Sequence, residues 1–382
     1  MRLRRAIAIA FVVFWWTRGP VGRPAFARGG AATDAYDDIA ASAPLDLHAL
    51  ADVYVIHNFD SPASGINQLR AFDFRDRPSL GYIRLTFAAR PRPVGFRLDL
   101  GAGNTADVFE QQDPARARHP DWARATSFVG QALVTVVVPL ALPIAVDAGK
   151  FATPVGMEDN ETITNWNYSR SLLYAWAEPT LHTGLRSTCR LTARLAVSLF
   201  WVNGWNAGLV DGSGMRTFAG AATWKPSDGI EVAVVDMAGL EHPPTLLTVP
   251  LSFRNLFDAY AVFEPWRGVS FALSADVGND RAGGGVGWWG AAGYARLQTE
   301  RWFAATLRGE WFSDPDGFTT GTRQAVSEVT TTVEARGAAG PVRLVGRLEY
   351  RHDRSNAAVF DAARPASRER QDTITIALMS AF

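Results

Sequence analysis

A chain of 382 residues, 47% apolar and 20% charged, is too hydrophobic for disorder and long enough for one large domain. Mean hydropathy is −0.03, and the apolar runs fall far short of the roughly 20 residues a membrane-spanning helix needs, which excludes a helical bundle in lipid. The formal charge is zero and there is one cysteine, Cys189; no basic excess points to nucleic acid, and an internal disulfide and a multi-cysteine zinc site are both excluded.

The first residues read as an export signal. Arg2, Arg4 and Arg5 precede the apolar run Ala6 to Trp16, and Ala25-Phe26-Ala27 supplies a small–x–small cleavage pattern, so residues 1–27 are expected to be a signal peptide. Removing them takes away five arginines and no acid, leaving 33 basic against 38 acidic residues and a net charge of −5. Residues 28–44 are small and acidic and read as a periplasmic lead-in, with the folded domain running from 45 to 382. The arginine excess over Lys150 and Lys225 reads as a codon bias rather than chemistry.

From residue 45 onward, apolar and polar residues alternate with period two. Phe96, Leu98 and Leu100 face away from Arg97 and Asp99; Leu307, Gly309 and Trp311 face away from Arg308 and Glu310. Such segments of about ten residues are strands with one apolar face. They are expected near 45–58, 79–89, 94–103, 126–138, 142–151, 180–190, 194–203, 215–225, 229–238, 250–264, 268–277, 286–298, 302–312, 324–336, 341–351 and 370–382. Tight turns alternate with longer polar connections, of which 152–179 is among the longest. An even count, short turns on one side and long loops on the other predict an all-β, transmembrane antiparallel up-and-down barrel of about 16 strands, not a soluble sandwich.

The last strand places Ile374, Ile376, Leu378 and Phe382 on one face, a pattern that resembles the signal read by the barrel-assembly machinery of the bacterial outer membrane. Aromatics near strand ends (Trp201, Trp205, Trp224, Trp266, Trp302, Trp311, Tyr350) are expected to form interfacial girdles.

The segments NQLRAFDFRD (67–76), PVGFRLDLG (93–101), GKFATPVGMEDNETITNWNYSRSLL (149–173), HTGLR (182–186) and VNGWN (202–206) resemble the OmpL-like β-barrel porin family. The resemblance covers the mature chain and implies an outer-membrane pore with no established catalytic residues. In general bacterial porins the connection between strands five and six folds inward as a constriction; here that connection is 152–179. It carries Glu158, Asp159, Glu161, Asn165, Trp166, Asn167 and Arg170, residues suited to setting a field across a pore. Ser169 is expected to cap a short helix through Leu172 and Trp176.

Strand parity selects the lumen candidates Arg84, Arg97, Asp99, Arg186, Arg190, Arg296, Arg308, Glu310, Arg343, Arg347 and Glu349. An arginine facing lipid at the midplane costs roughly 2–4 kcal/mol, so so many of them must point inward. The six histidines have no metal-ligand spacing, and the G-x-S-x-G elbow of serine hydrolases is missing, so no catalytic residue, metal or cofactor is expected. Cys189 shares the lipid-facing parity of Leu185 and Leu191. The expected function is passive diffusion of small hydrophilic solutes or ions; the alternative is a plugged barrel acting as an enzyme or adhesin. Wall arginines favour anions, while the net charge and the acids of 158–161 favour cations. The expected partners are outer-membrane lipid, small solutes and, by analogy to general porins, further copies of the chain.

Overall fold

Once side chains alternate along every segment, backbone pairing has to close on itself, because an open edge in lipid leaves N–H and C=O groups without partners. The computed structural model describes residues 45–117, 119–208, 216–242, 251–363 and 367–382; the expected signal peptide and lead-in lie outside the described residues. Sixteen strands form one closed antiparallel barrel. They are β1 (Asp46–Asn58), β2 (Ser79–Ala89), β3 (Val94–Ala102), β4 (Val129–Val138), β5 (Ile144–Ala152), β6 (Leu181–Thr192), β7 (Leu195–Val202) and β8 (Thr217–Ser227). The second half comprises β9 (Ile230–Glu241), β10 (Ser252–Trp266), β11 (Val269–Asp280), β12 (Val286–Glu300), β13 (Phe303–Asp314), β14 (Gln324–Ala339), β15 (Val342–Ser355) and β16 (Arg370–Ala381). Each strand pairs with its neighbours in sequence, and β1 closes on β16 from Leu50 opposite Ala381 to Asn58 opposite Thr373.

The main departure from the expected elements lies between β3 and β4. Two short helices occupy that connection, α1 (Asn104–Gln112) and α2 (Pro120–Ser127), so β4 begins at Val129 rather than near 126. Pro120 sits at the start of α2 with Asp121 in its first turn, both favourable at a helix N-terminus. The Thr126 hydroxyl donates back to the Trp122 carbonyl at 2.8 Å, holding in the helix a residue that reads as strand by alternation alone. Helix α1 turns Val108 and Phe109 against Phe72, Tyr174 and Leu181, so it caps the interior on the long-loop side.

The two barrel faces differ in chemistry as the alternation requires. Outward residues such as Leu85, Leu199, Phe218, Leu273, Leu307 and Leu378 are exposed and apolar on every side, a surface stable only in lipid. Trp201, Trp224, Trp266, Trp302, Trp311 and Tyr350 are exposed on the outer wall as expected of girdles. Trp205 is the exception. It turns inward, its ring 6.1 Å from that of Trp288 in an edge-on contact, with the Arg254 guanidinium 5.1 Å from its centroid. The bend after β7 carries it off the strand, so strand parity no longer applies.

Candidate functional site

The connection between β5 and β6, residues 153–180, runs through the barrel rather than over its rim. It bonds to Asp52 of β1, Arg84 of β2, Asp258 of β10 and Arg308 of β13. On a ring of sixteen, β2 and β10 stand on opposite sides, so the segment spans the interior.

An irregular backbone buried at membrane depth needs a partner for every N–H and C=O group, and the wall supplies them. Arg347 donates to the carbonyls of Thr162 and Asn167, both at 2.8 Å, and of Asn165 at 2.5 Å. Glu349 accepts from the amides of Tyr168 at 2.6 Å and Ser169 at 2.9 Å. Glu310 accepts from the Leu172 amide at 2.7 Å. Arg308 reaches the Ser169 carbonyl at 2.8 Å and Arg351 the Arg170 carbonyl at 2.6 Å. Inside the segment, Arg170 gathers the carbonyls of Asp159 at 2.8 Å and Tyr168 at 3.0 Å, pinching the chain into a tight fold.

Charge is balanced in clusters. Arg308, fully buried, lies 3.0 Å from Glu158, 3.4 Å from Glu310 and 3.1 Å from Glu328. Glu334 is shared by Arg296 and Arg347, each at 2.6 Å. The second hold is apolar. Met157, Trp166, Leu172, Leu173 and Ala177 pack on Tyr260, Val262, Ala272, Trp288, Tyr294 and Phe312 of the wall. Each large buried side chain contributes about 1.5–3 kcal/mol. The short helix differs from expectation: Leu173–Ala177 forms a single wide π-helical turn. The expected cap at Ser169 is not made: its hydroxyl accepts from Arg308, and it is Ser171 that accepts from the Tyr174 amide, at 3.0 Å.

The sequence matches the model of the family described as "Putative beta-barrel porin-2, OmpL-like" over residues 44–382. The chain belongs to that porin family. It is an outer-membrane channel protein for solute diffusion. Similar folds include an anion-selective porin from Comamonas acidovorans (9% identity, TM-score 0.57, 88% of this chain and 99% of that one). The outer membrane channel DcaP of Acinetobacter baumannii is similar at 8% identity and a TM-score of 0.58, over 88% of this chain and 97% of that one. The trimer form of OmpT, an outer membrane protein of Vibrio cholerae, is similar at 9% identity and a TM-score of 0.55, over 88% of this chain and 99% of that one. No curated protein matches the sequence.

In this porin the residues singled out by parity differ in how they meet the inner segment. Arg296, Arg308, Glu310, Arg347 and Glu349 meet the inner segment. Asp99 binds Arg97 at 3.0 Å and Arg84 at 3.6 Å, and Arg84 also pairs with Glu161 of the segment. Arg186 pairs with Asp147 at 2.7 Å on the adjacent strand, Arg190 is half-buried nearer the turns, and Arg343 is exposed at the turn end of β15. Within the segment, Asn167 donates to Thr332 at 2.7 Å, Trp166 packs edge-on against Tyr294, and the Asp159 amide donates to Asn165 at 2.8 Å. His182 has both ring nitrogens engaged, with the Gly204 carbonyl and the Thr153 hydroxyl. Cys189 is half-buried.

Several wall groups were passed over by the sequence reading: Asp147, Glu328, Glu334 and Arg351 stand on the same inward parity and were available to it. Arg70 was not available by parity. It lies in the first long loop, folds inward, and pairs with Asp73 at 2.9 Å and Asp353 at 3.3 Å.

Gly156 marks the tightest place in the segment. Its φ is +84°, and a Cβ there would overlap the Glu178 carboxylate. Gly156→Ala is expected to cost more than the roughly 1–2 kcal/mol of a left-handed L-residue, because steric overlap adds to it. Denaturant unfolding of refolded protein checks this; a loss below that range would mean the segment can shift without resistance.

Proposed function

We propose that small hydrophilic solutes pass between the inner segment 153–180 and the arc of wall formed by β3 to β8. The observation carrying this reading is the one-sided seating of the segment: most of its wall hydrogen bonds lie on β10 to β15 and its apolar contacts run from β9 through β16 to β1 and β2, while Arg97, Asp99, Asp147 and Arg186 pair mainly among wall groups. The parity-selected residues on β3 and β6 then line the passage, with Arg84 of β2 at its edge beside Glu161, and Glu158, Asp159, Glu161, Asn165, Trp166, Asn167 and Arg170 shape the constriction from within. An apolar outer band with a paired-charge interior supports residence in the outer membrane after removal of 1–27, with assembly guided by the strand ending in Phe382. A homotrimer is supported by analogy with the trimer form of Vibrio cholerae OmpT.

Single-channel recording of refolded protein in a planar bilayer tests the passage; folded protein without conductance would overturn it. The reversal potential in a salt gradient then reports charge preference. Arg97, whose side chain keeps 28% of its exposure, and half-buried Arg190 are better probes than Arg186, which is tied to Asp147 in the wall. Arg97→Glu with Arg190→Glu is expected to move selectivity towards cations. An unmoved reversal potential would take both residues out of the conduction path.

A second reading has its own support. The apolar packing of the segment on the inner wall resembles the core of a soluble protein, as a plug would require. A plugged barrel would instead give surface binding that depends on the long loops, with no conductance.

A further inference from the structure

Glu178, Asp258 and Asp276 bring one ligand oxygen each to within 4.8 Å of one another, and all three residues are buried. They come from three places: the end of the inner segment, β10 and β11. Asp258 and Asp276 are 0% exposed and Glu178 is 4% exposed. Elsewhere inside this barrel acids are matched by arginines, as around Arg308 and Glu334. Here, among the described residues, none of the three makes an ion pair within 4 Å; the hydrogen bond they receive is from the Gly156 amide to Asp258 at 3.1 Å.

Four of their oxygens are orphaned. Oε2 of Glu178, Oδ2 of Asp258 and both oxygens of Asp276 are buried without a hydrogen-bond partner. Leu256 and Tyr260 flank Asp258 on the same face of β10, 1% and 2% exposed, and Trp288 holds the Ala177 carbonyl at 3.2 Å beside Glu178. The surroundings are therefore apolar and closed, and solvent does not stand in for the missing partners. Three carboxylates gathered this closely in a low-dielectric site repel one another strongly unless shared protons or a cation sit among them.

We propose that Glu178, Asp258 and Asp276 hold one divalent cation of the calcium class, which fastens the inner segment to β10 and β11. The donor set is all oxygen, which selects a hard cation over zinc or copper. Three carboxylates offer up to six oxygens, mono- or bidentate. Calcium accepts such a flexible shell at 2.3–2.6 Å, whereas magnesium demands a near-ideal octahedron and retains several waters, for which this enclosed site is unsuited. A doubly charged ion would neutralise most of the three negative charges. The Gly156 amide, pointed at Asp258, then helps to hold that carboxylate in place.

The test uses the full mature chain refolded in detergent, free of lipopolysaccharide and stripped with a chelator. Calorimetric titration with Ca²⁺ is expected to give one site per chain, with much weaker binding of Mg²⁺. At a hundredfold excess over the dissociation constant, Ca²⁺ should favour the folded state about 100-fold. Glu178→Gln and Asp276→Asn, close in shape, should each abolish both the heat and the stabilisation. Stripped wild-type protein that shows no saturable Ca²⁺ binding overturns the proposal, and so does unchanged binding in both variants. If neither variant folds, the wild-type titration alone decides. Shared protons alone would show as variants more stable than the wild type and a wild type indifferent to Ca²⁺, which also overturns it. None of these readouts depends on conductance, so a failed passage and a missing metal are separable.

Discussion

Replacing residues 157–177 with a short flexible linker is expected to raise single-channel conductance several-fold and to weaken charge selectivity. The segment crosses from β2 to β10, and conductance follows the narrowest cross-section of a pore. Its removal takes away Glu158, Asp159, Glu161 and Arg170 together, leaving the wall to set the field. The barrel wall keeps its closed hydrogen-bond ladder, because the removed residues belong to no strand. Planar-bilayer recording of protein that still shows heat-modifiable mobility checks this. Equal conductance with and without the segment would show that it does not limit the passage.

Arg308→Ala is expected to be the most damaging single change in the wall, at about 3–5 kcal/mol. The guanidinium faces Glu158, Glu310 and Glu328 and also holds the Ser169 carbonyl. Truncation leaves buried carboxylates unbalanced and a buried carbonyl unpaired, and both penalties fall on the folded state. Arg308→Lys keeps the charge but loses the fork that reaches several partners, so it should lose less. Urea titration of folded protein in detergent or lipid gives the comparison. A loss below about 1 kcal/mol for the alanine variant would mean that these acids are not balanced by Arg308.

Much of the wall was legible because a strand has a period of two whatever its neighbours are. The inward direction of Arg308 and Glu310 followed from Leu307, Gly309 and Trp311 between and beside them. Their partners did not follow. Glu328 lies 20 residues away across a strand pair whose register depends on the turn, and Glu158 lies 150 residues away on an irregular segment. Trp205 and the last two residues of α2 were misplaced for a related reason: alternation persists by chance past the point where the backbone leaves the sheet. The site of Glu178, Asp258 and Asp276 is illegible in sequence, since each acid alone reads as one more polar inward residue. Asp258 and Asp276 face each other across the β10–β11 pair, and only the inward fold of the distant segment adds Glu178 to them.

The seating of the segment has a consequence for the order of assembly. Nearly all its wall partners come later in the chain: Glu310 lies 138 residues after Leu172, and Glu349 lies 181 residues after Tyr168. Contacts this remote in sequence form slowly. Until β13 and β15 are in place, the amides and carbonyls between Thr162 and Leu172 lack their acceptors and donors, and hydrocarbon offers none. A half-built sheet therefore cannot keep this stretch in the bilayer interior. It has to wait in water, at the rim, until the late strands arrive. Threading of the segment is therefore expected to wait for the late strands, and a chain shortened before β15 is expected to be rejected as a whole instead of inserting as a smaller barrel.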